Sequence, residues 1–263
     1  MITIFSTPKP WKGEINTIQR NAIQSWKELG CYIVLLGDED GTKENSKAFG
    51  ARHIPSIKKN KYGTPLVNSI FDIIQQDEKN EISLYANADI ILLGDLLGVA
   101  KTAKHFRSNF LVVGERHNAE VKQEIVFDQY WKKRLKKQTN AKPEGKRSRD
   151  YFMFSKEFLT EIPPFALGRG RWDSWIVGES LLKKISVIDA SKVIRCVHQN
   201  HNFNHLPGSK KIKRGSWGEK GPEFNENKSL IAARHPSNKS LRTTATMLNG
   251  KSGLVIHDGI TND

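Results

Sequence analysis

Cysteine, long apolar runs and acidic residues are what this sequence has least of, and each shortage closes off a class of reading. Cys31 and Cys196 are its only 2 cysteines. They make no metal-ligand spacing and read as buried thiols in or beside strands, so neither a disulfide framework nor a thiolate zinc site is expected. No segment approaches the roughly 18 consecutive apolar residues of a membrane-spanning helix. The N-terminal Met-Ile-Thr-Ile-Phe-Ser-Thr-Pro lacks the basic and then apolar layout of a signal peptide and reads as a first strand, so a cytoplasmic location is expected. Internal repeats, low-complexity tracts and a clear linker are missing too. At 263 residues the chain can bury the core of one large domain. We expect a body over residues 1–205 and, from 206–263, a basic lid loop, a helix and an extension of the same domain.

Only 28 acidic residues offset 42 basic ones, leaving a net charge of +14 that draws in anions such as nucleotides, acidic glycans, nucleic acid or a negative membrane surface. The charge does not choose among them. Two clusters stand out, Lys132-Lys133-Arg134-Leu135-Lys136-Lys137 and Lys210-Lys211-Ile212-Lys213-Arg214, although such runs are more often solvated faces than binding sites.

Strands and helices alternate along the first half. Residues 2–6 form a strand whose carboxyl end leads into Pro8-Lys9-Pro10-Trp11-Lys12-Gly13, on the edge of an open α/β sheet where ligands sit. A helix over 14–29 carries Ile15, Ile18, Ala22, Ile23 and Trp26 on one face and closes at Gly30. A strand over 31–36, a helix over about 42–48 and a strand over 51–54 follow. Next comes a basic loop with Thr64 at an N-cap and Pro65 at the first helical position, so that a helix N-terminus flanked by lysines offers an anion site. The stretch 82–93 reads as a strand. This βαβαβαβ order implies an α/β, Rossmann-like fold with a mostly parallel sheet and right-handed crossovers. Further strands are expected over 110–114, 150–154, 186–188 and 193–197, and helices near 126–135, from Trp172 and over 223–233. Residues 137–149 read as a mobile surface loop, and 241–248 and 253–257 as two extended pieces.

Three places hold candidate chemistry. Within 82–93, Asn87-Ala88-Asp89 puts a carbonyl and a carboxylate two residues apart, on one side of an extended segment. Such hard oxygen ligands suit a divalent cation that holds phosphates, while the plainer reading is a polar turn after a core strand. Asp173 falls in the first turn of a helix that buries Trp172 and Trp175. It is either a dipole-favoured cap or a general base whose pKa is raised by burial. His198-Gln199-Asn200-His201-Asn202-Phe203-Asn204-His205 concentrates 3 of the chain's 8 histidines; it is a polar loop, a set of contacts to a sugar or diphosphate, or the source of one imidazole that joins Asp89 on a cation.

Taken together, Tyr62-Gly63-Thr64-Pro65-Leu66-Val67-Asn68, Tyr85-Ala86-Asn87-Ala88-Asp89-Ile90, Asp150-Tyr151-Phe152-Met153-Phe154, Ile162 to Arg169 with Trp172-Asp173-Ser174-Trp175, the histidine segment and the helix after Gly221-Pro222 resemble the glycosyltransferase-like proteins of the nucleotide-diphospho-sugar transferase superfamily, which have the GT-A fold. The likeness implies a hexosyltransferase-like enzyme that uses a nucleotide-diphosphate sugar donor and a divalent metal, manganese or magnesium. It also implies an acceptor hydroxyl, an anionic glycan or a lipid-linked molecule being among the candidates. Asn87 and Asp89 occupy its Asp-x-Asp position, His198 the place of a late metal-ligating histidine, and Asp173 that of the acceptor-side base, with Asp150 in reserve. Thr7, Lys61, Tyr62, Thr64 and Asn68 are expected to bind the nucleotide sugar, as are Asn87, Ala88, Arg169, Trp172 and His201. Asn87 departs from the pattern, and one fewer negative charge should weaken metal binding.

Two other readings stay open. A sugar nucleotidyltransferase on a related fold would want a glycine-rich phosphate loop after the first strand, and Ser6-Thr7-Pro8-Lys9-Pro10-Trp11 is not one. A non-catalytic anionic-polymer or nucleic-acid binding protein would account for the charge and for Trp131 and Trp217 among basic residues. No nucleic-acid motif accompanies that charge, so nucleic acid is not the expected partner.

Overall fold

Residues 1–77, 81–140, 142–145, 148–156, 158–159, 161–201, 221–232 and 243–259 are described by a computed structural model. Strands β1 (Ile2–Ser6), β2 (Tyr32–Leu36) and β3 (Arg52–Ile54) alternate with helices α1 (Gly13–Glu28) and α2 (Thr42–Phe49). Helix α3 (Val67–Gln75) leads to β4 (Ile82–Ala86) and β5 (Ile90–Leu93), and α4 (Leu96–Phe106) to β6 (Phe110–Val113) and β7 (Arg116–Ala119). Then come α5 (Trp131–Gln138), β8 (Tyr151–Ser155), α6 (Trp172–Leu182), β9 (Ser186–Asp189), β10 (Arg195–Gln199), α7 (Pro222–Ala232), β11 (Ala245–Gly250) and β12 (Gly253–Asp258).

Nine strands form one sheet in the order β12-β11-β9-β6-β8-β4-β1-β2-β3. The neighbours are parallel except at β8, which runs antiparallel to β4 and β6, and in the β11–β12 hairpin. The central strands are buried along their whole length, because helices cover both faces, and this is why they read as continuous apolar runs. One core lies between the sheet and α1, α2 and α4; a second packs α3 and α6 against the opposite face around Phe5, Phe71, Phe154 and Trp175; a smaller third joins Trp131 and Leu135 of α5 to Ile91, Leu93 and Val197. Cys196 is buried and Cys31 half-buried, both as free thiols, and desolvation pushes the Cys31 thiol up to about 12.

The stretch 82–93 is two strands, not one. β4 belongs to the large sheet, whereas β5 pairs with β10 in a separate three-stranded sheet, β5-β10-β7. The chain turns at Asn87-Ala88-Asp89, where Ile90 N–H donates to Asn87 O at 3.0 Å, so the alternation of an extended segment does not apply there. β7 escapes the sequence reading because Arg-His-Asn-Ala has no strand signature; it is ordered by parallel pairing with β10. Described residues of the 137–149 stretch hydrogen-bond along β7: Asn140 N–H donates to Asn118 O, Glu144 N–H to Arg116 O, and Arg116 N–H to Ser148 O.

Helix α3 begins at Val67, not at Pro65. Thr64 and Pro65 lie in a bridged loop, in which Leu66 N–H donates to Lys58 O and Leu167 N–H to Pro65 O. The Val67 N–H, first of the helix, is taken by Phe165 O at 2.9 Å in a loop-to-loop contact. Lys210 to Arg214, Trp217 and the rest of the expected basic lid, with Asn202 to His205, lie outside the described residues.

A buried polar node fixes the turn. The Gln199 side-chain amide donates to Ile18 O at 2.9 Å and to Asp89 O at 3.2 Å, while its carbonyl accepts from Asn21 Nδ2 at 3.0 Å. Replacing Gln199 by Ala would strand these groups in a dry core. We expect Gln199→Ala to cost about 1–3 kcal/mol in a chemical denaturation experiment.

Candidate active site

A cavity of about 430 Å³ opens beside the carboxyl ends of β1 and β4, the edge where open α/β sheets place ligands. Of the expected residues, Thr7, Tyr62, Thr64, Asn87, Ala88, Asp89, Asp150, Arg169, Trp172, Asp173, His198 and His201 line it. Lys61 and Asn68 do not. Lys61 sits at the tip of its turn and reaches away, to Glu226 of α7 at 3.0 Å. Asn68 lies in the first turn of the late-starting α3.

Strand register brings the histidines to Asp89. β10 runs antiparallel to β5 with His198 opposite Ile90, one residue beyond Asp89, and the chain leaving β10 folds His201 onto the same carboxylate. His201 Nε2 lies 3.2 Å and His198 Nε2 3.7 Å from Asp89 Oδ2. Ligand atoms of the three side chains fall within 4.8 Å of one another. Burial by itself would raise the Asp89 carboxyl, but the two imidazoles and Lys9 override it and hold the carboxyl below its usual range. Burial lowers His198, favouring the neutral imidazole that has a lone pair to give. Asp89 Oδ1 and His198 Nδ1 are buried with no hydrogen-bond partner among the described residues. A bound cation would satisfy the orphaned carboxylate oxygen, and both imidazoles turn an Nε2 toward the same carboxylate, so these residues fit a divalent metal.

Asn87 faces the other way. Its Oδ1 accepts from the Tyr85 hydroxyl at 2.8 Å and its Nδ2 donates to Asp150 Oδ1 at 3.0 Å. The orientation is forced, because a carboxylate only accepts hydrogen bonds. Burial, with Asp89 and Asp150 nearby, holds the Tyr85 phenol well above its ordinary pKa, so it remains a donor. The second Asp150 oxygen accepts from Arg116 Nη1 at 3.0 Å. Both Asp150 oxygens are therefore occupied.

Asp173 sits in the first turn of α6, half-buried on the cavity wall. Desolvation is the main cause that raises its carboxyl to about 6, even though its Oδ1 accepts from the Ser174 N–H at 2.7 Å. The helix starts from a strained backbone: Arg171 holds φ at +74°, a left-handed conformation that costs a non-glycine residue energy. On the rim, Arg169 Nε donates to Glu223 Oε2 at 2.7 Å, and Asn60 Nδ2 donates to Glu223 Oε1 at 2.8 Å. Helix α7 thereby ties the two loops that flank the cavity.

By sequence, no protein-family model and no curated protein matches the chain. Solved structures do. S. aureus TarS 1–349 in complex with UDP-GlcNAc matches with 12% identity and a TM-score of 0.51, over 88% of this chain and 65% of that one, just under two thirds of its length. Glucosyl-3-phosphoglycerate synthase from Mycobacterium tuberculosis, in complex with Mn²⁺, UDP and phosphoglyceric acid, matches with 14% identity and a TM-score of 0.50, over 100% of this chain and 87% of that one. This chain shares the GT-A fold of these two structures.

Within this GT-A frame, Lys9, Tyr85, Arg116 and Arg149 are among the cavity residues that the sequence reading did not assign to the site. Lys9 lies in the first loop, where position alone could have flagged it; burial lowers its pKa despite the pull of Asp89. Arg116 and Arg149 were hidden in a basic stretch whose order comes from β7. Asn87→Asp would set two carboxylates about 3 Å apart and remove a donor. We expect it to lower stability by about 1–3 kcal/mol at pH 8, less at pH 5 where the pair can share a proton. Asn87→Asp/Asp150→Asn restores the donor–acceptor match but takes from Arg116 its carboxylate, so it should recover only part of the loss. Thermal unfolding of the three proteins at both pH values checks this.

Proposed function

We propose that this protein is a glycosyltransferase that moves a sugar from a nucleotide-diphosphate donor to an acceptor hydroxyl. The observation that carries the reading is the meeting, in one cavity, of an Asp–His–His cluster fit for a divalent metal and a half-buried carboxyl raised to about 6. The GT-A likeness supports it, and the UDP-GlcNAc and the Mn²⁺ with UDP in the two matching proteins suggest a uridine diphosphate donor and manganese as first probes.

In this reading Asp89, His198 and His201 hold the metal, which supplies positive charge to offset that developing on the leaving diphosphate. Lys9 adds a second cation to the same side of the cavity. Thr7, Tyr62, Thr64 and Trp172 shape the donor pocket, and Arg169 is placed at its rim by Glu223. Asp173 accepts the acceptor's hydroxyl proton as its oxygen attacks the sugar carbon, which makes the outcome inverting. Desolvation suits Asp173 to this role, since a base works best with a pKa near the working pH. Asp150, with both oxygens occupied, orients Asn87 and Arg116.

Calorimetry with UDP, GDP, ADP and CMP, each with and without manganese, tests the donor site. Manganese-dependent binding of one nucleotide by the wild type, lost in Asp89→Ala, is the expected result, and equal binding by the variant overturns the reading. Once the donor is known, Asp173→Asn should slow transfer by about two to four orders of magnitude while nucleotide binding is unchanged. The wild-type rate should fall as the pH drops through about 6, where Asp173 takes up its proton. A flat profile from pH 5 to 8 would exclude Asp173 as the base.

A further inference from the structure

We infer that the Asp89–His198–His201 site prefers a borderline transition-metal ion, such as Co²⁺ or Zn²⁺, to Mg²⁺. The inference rests on the proposed function only in sharing its site, and it follows from where each donor atom is held.

An Asp-x-Asp segment could bring two carboxylates to a cation. Here the position of the first is an amide, and that amide is withdrawn. Its carbonyl accepts from the Tyr85 hydroxyl and its NH₂ faces Asp150, so Asn87 is oriented by its neighbours and not by an ion. Nor does Asp150 make up the missing charge: Arg116 pairs with it at 3.0 Å, and its two oxygens are the acceptors for Arg116 and Asn87. Among the described residues one anionic oxygen donor remains, Asp89. The other two donors are imidazoles, with the His201 side chain only 2% exposed and that of His198 12%. The pair is already packed against the carboxylate, with ring centroids 5.5 Å apart.

Two imidazoles and one carboxylate form a nitrogen-rich set. Magnesium binds hard oxygen, wants near-ideal octahedral geometry and gives up its water reluctantly. Imidazole suits zinc, iron, nickel and copper, and affinity rises from Mn²⁺ through Co²⁺ along the first transition row. Three protein ligands also leave coordination positions that an oxyanion can fill. The order expected for this site is therefore Co²⁺ and Zn²⁺ above Mn²⁺, and Mn²⁺ above Mg²⁺.

The test is calorimetric titration of the full chain, without nucleotide, by MgCl₂, MnCl₂, CoCl₂ and ZnCl₂ in turn. Co²⁺ and Zn²⁺ should bind one per chain and at least about tenfold more tightly than Mg²⁺. Binding should weaken in Asp89→Ala and in His201→Gln, each first shown to be folded by its thermal unfolding. His201→Asp, which adds a second carboxylate, should narrow the gap by strengthening Mg²⁺. Mg²⁺ binding as tight as Co²⁺, no saturable binding of any ion, or variants that bind like the wild type would overturn the inference. UDP titrated in the presence of EDTA, and again with the preferred ion, separates the two claims. If UDP binds while the ions show no preference, the selectivity fails and the donor reading stands; if the preference is found but no nucleotide binds, the donor reading alone fails.

Discussion

The site depends on one strand pairing. β10 lies between β5 and β7, and its antiparallel register on β5 sets His198 across from Ile90. Without that register an aspartate at position 89 and a histidine at position 198 have no reason to meet. Gln199, the next residue on β10, then anchors the turn by bonding the Asp89 carbonyl and the α1 carbonyl of Ile18. A slip of one residue would send His198 to the opposite face, and both the cluster and the buried node would be lost together. The small sheet thus owes its fixed register to polar contacts as much as to apolar ones.

Charge is arranged around that turn in two compartments. On one side Asp89 carries its charge beside imidazoles and Lys9; on the other Asp150 spends its charge on Arg116 and an amide. Asp173 stands apart, at the start of α6, where desolvation outweighs the backbone N–H that it accepts. Asp89 and Asp173 thereby differ in their hold on a proton, because environment and not residue type sets it.

Much of the large sheet was legible in the sequence because its strands are buried on both faces and spaced by amphipathic helices, as with Ile2 to Ser6 and Phe110 to Val113. The small sheet was not. β7 is polar, and its strand character comes from pairing with β10, a contact some eighty residues away that no local pattern encodes. The same cause hid Arg116 and Arg149. Thr64 and Pro65 gave a sound local signal for a helix start, yet the Val67 N–H found a partner in Phe165 of a distant loop, and tertiary contact won over propensity. Asp89 and His198 were readable as candidates from type and position. The opposite aim of Asn87 was not, since it depends on Tyr85 and on Asp150, sixty-three positions further along the chain.

That contact between Asn87 and Asp150 also limits how the sequence can drift. The amide needs an acceptor at position 150, and a carboxylate there tolerates only a donor at position 87. An acid at position 87 sets two acceptors against each other, and an amide at position 150 keeps an acceptor for Asn87 but takes from Arg116 its carboxylate, so three positions hold one another in place. An acid at the first position of the turn would therefore face a carboxylate on β8's approach that cannot be given up without stranding the charge of Arg116.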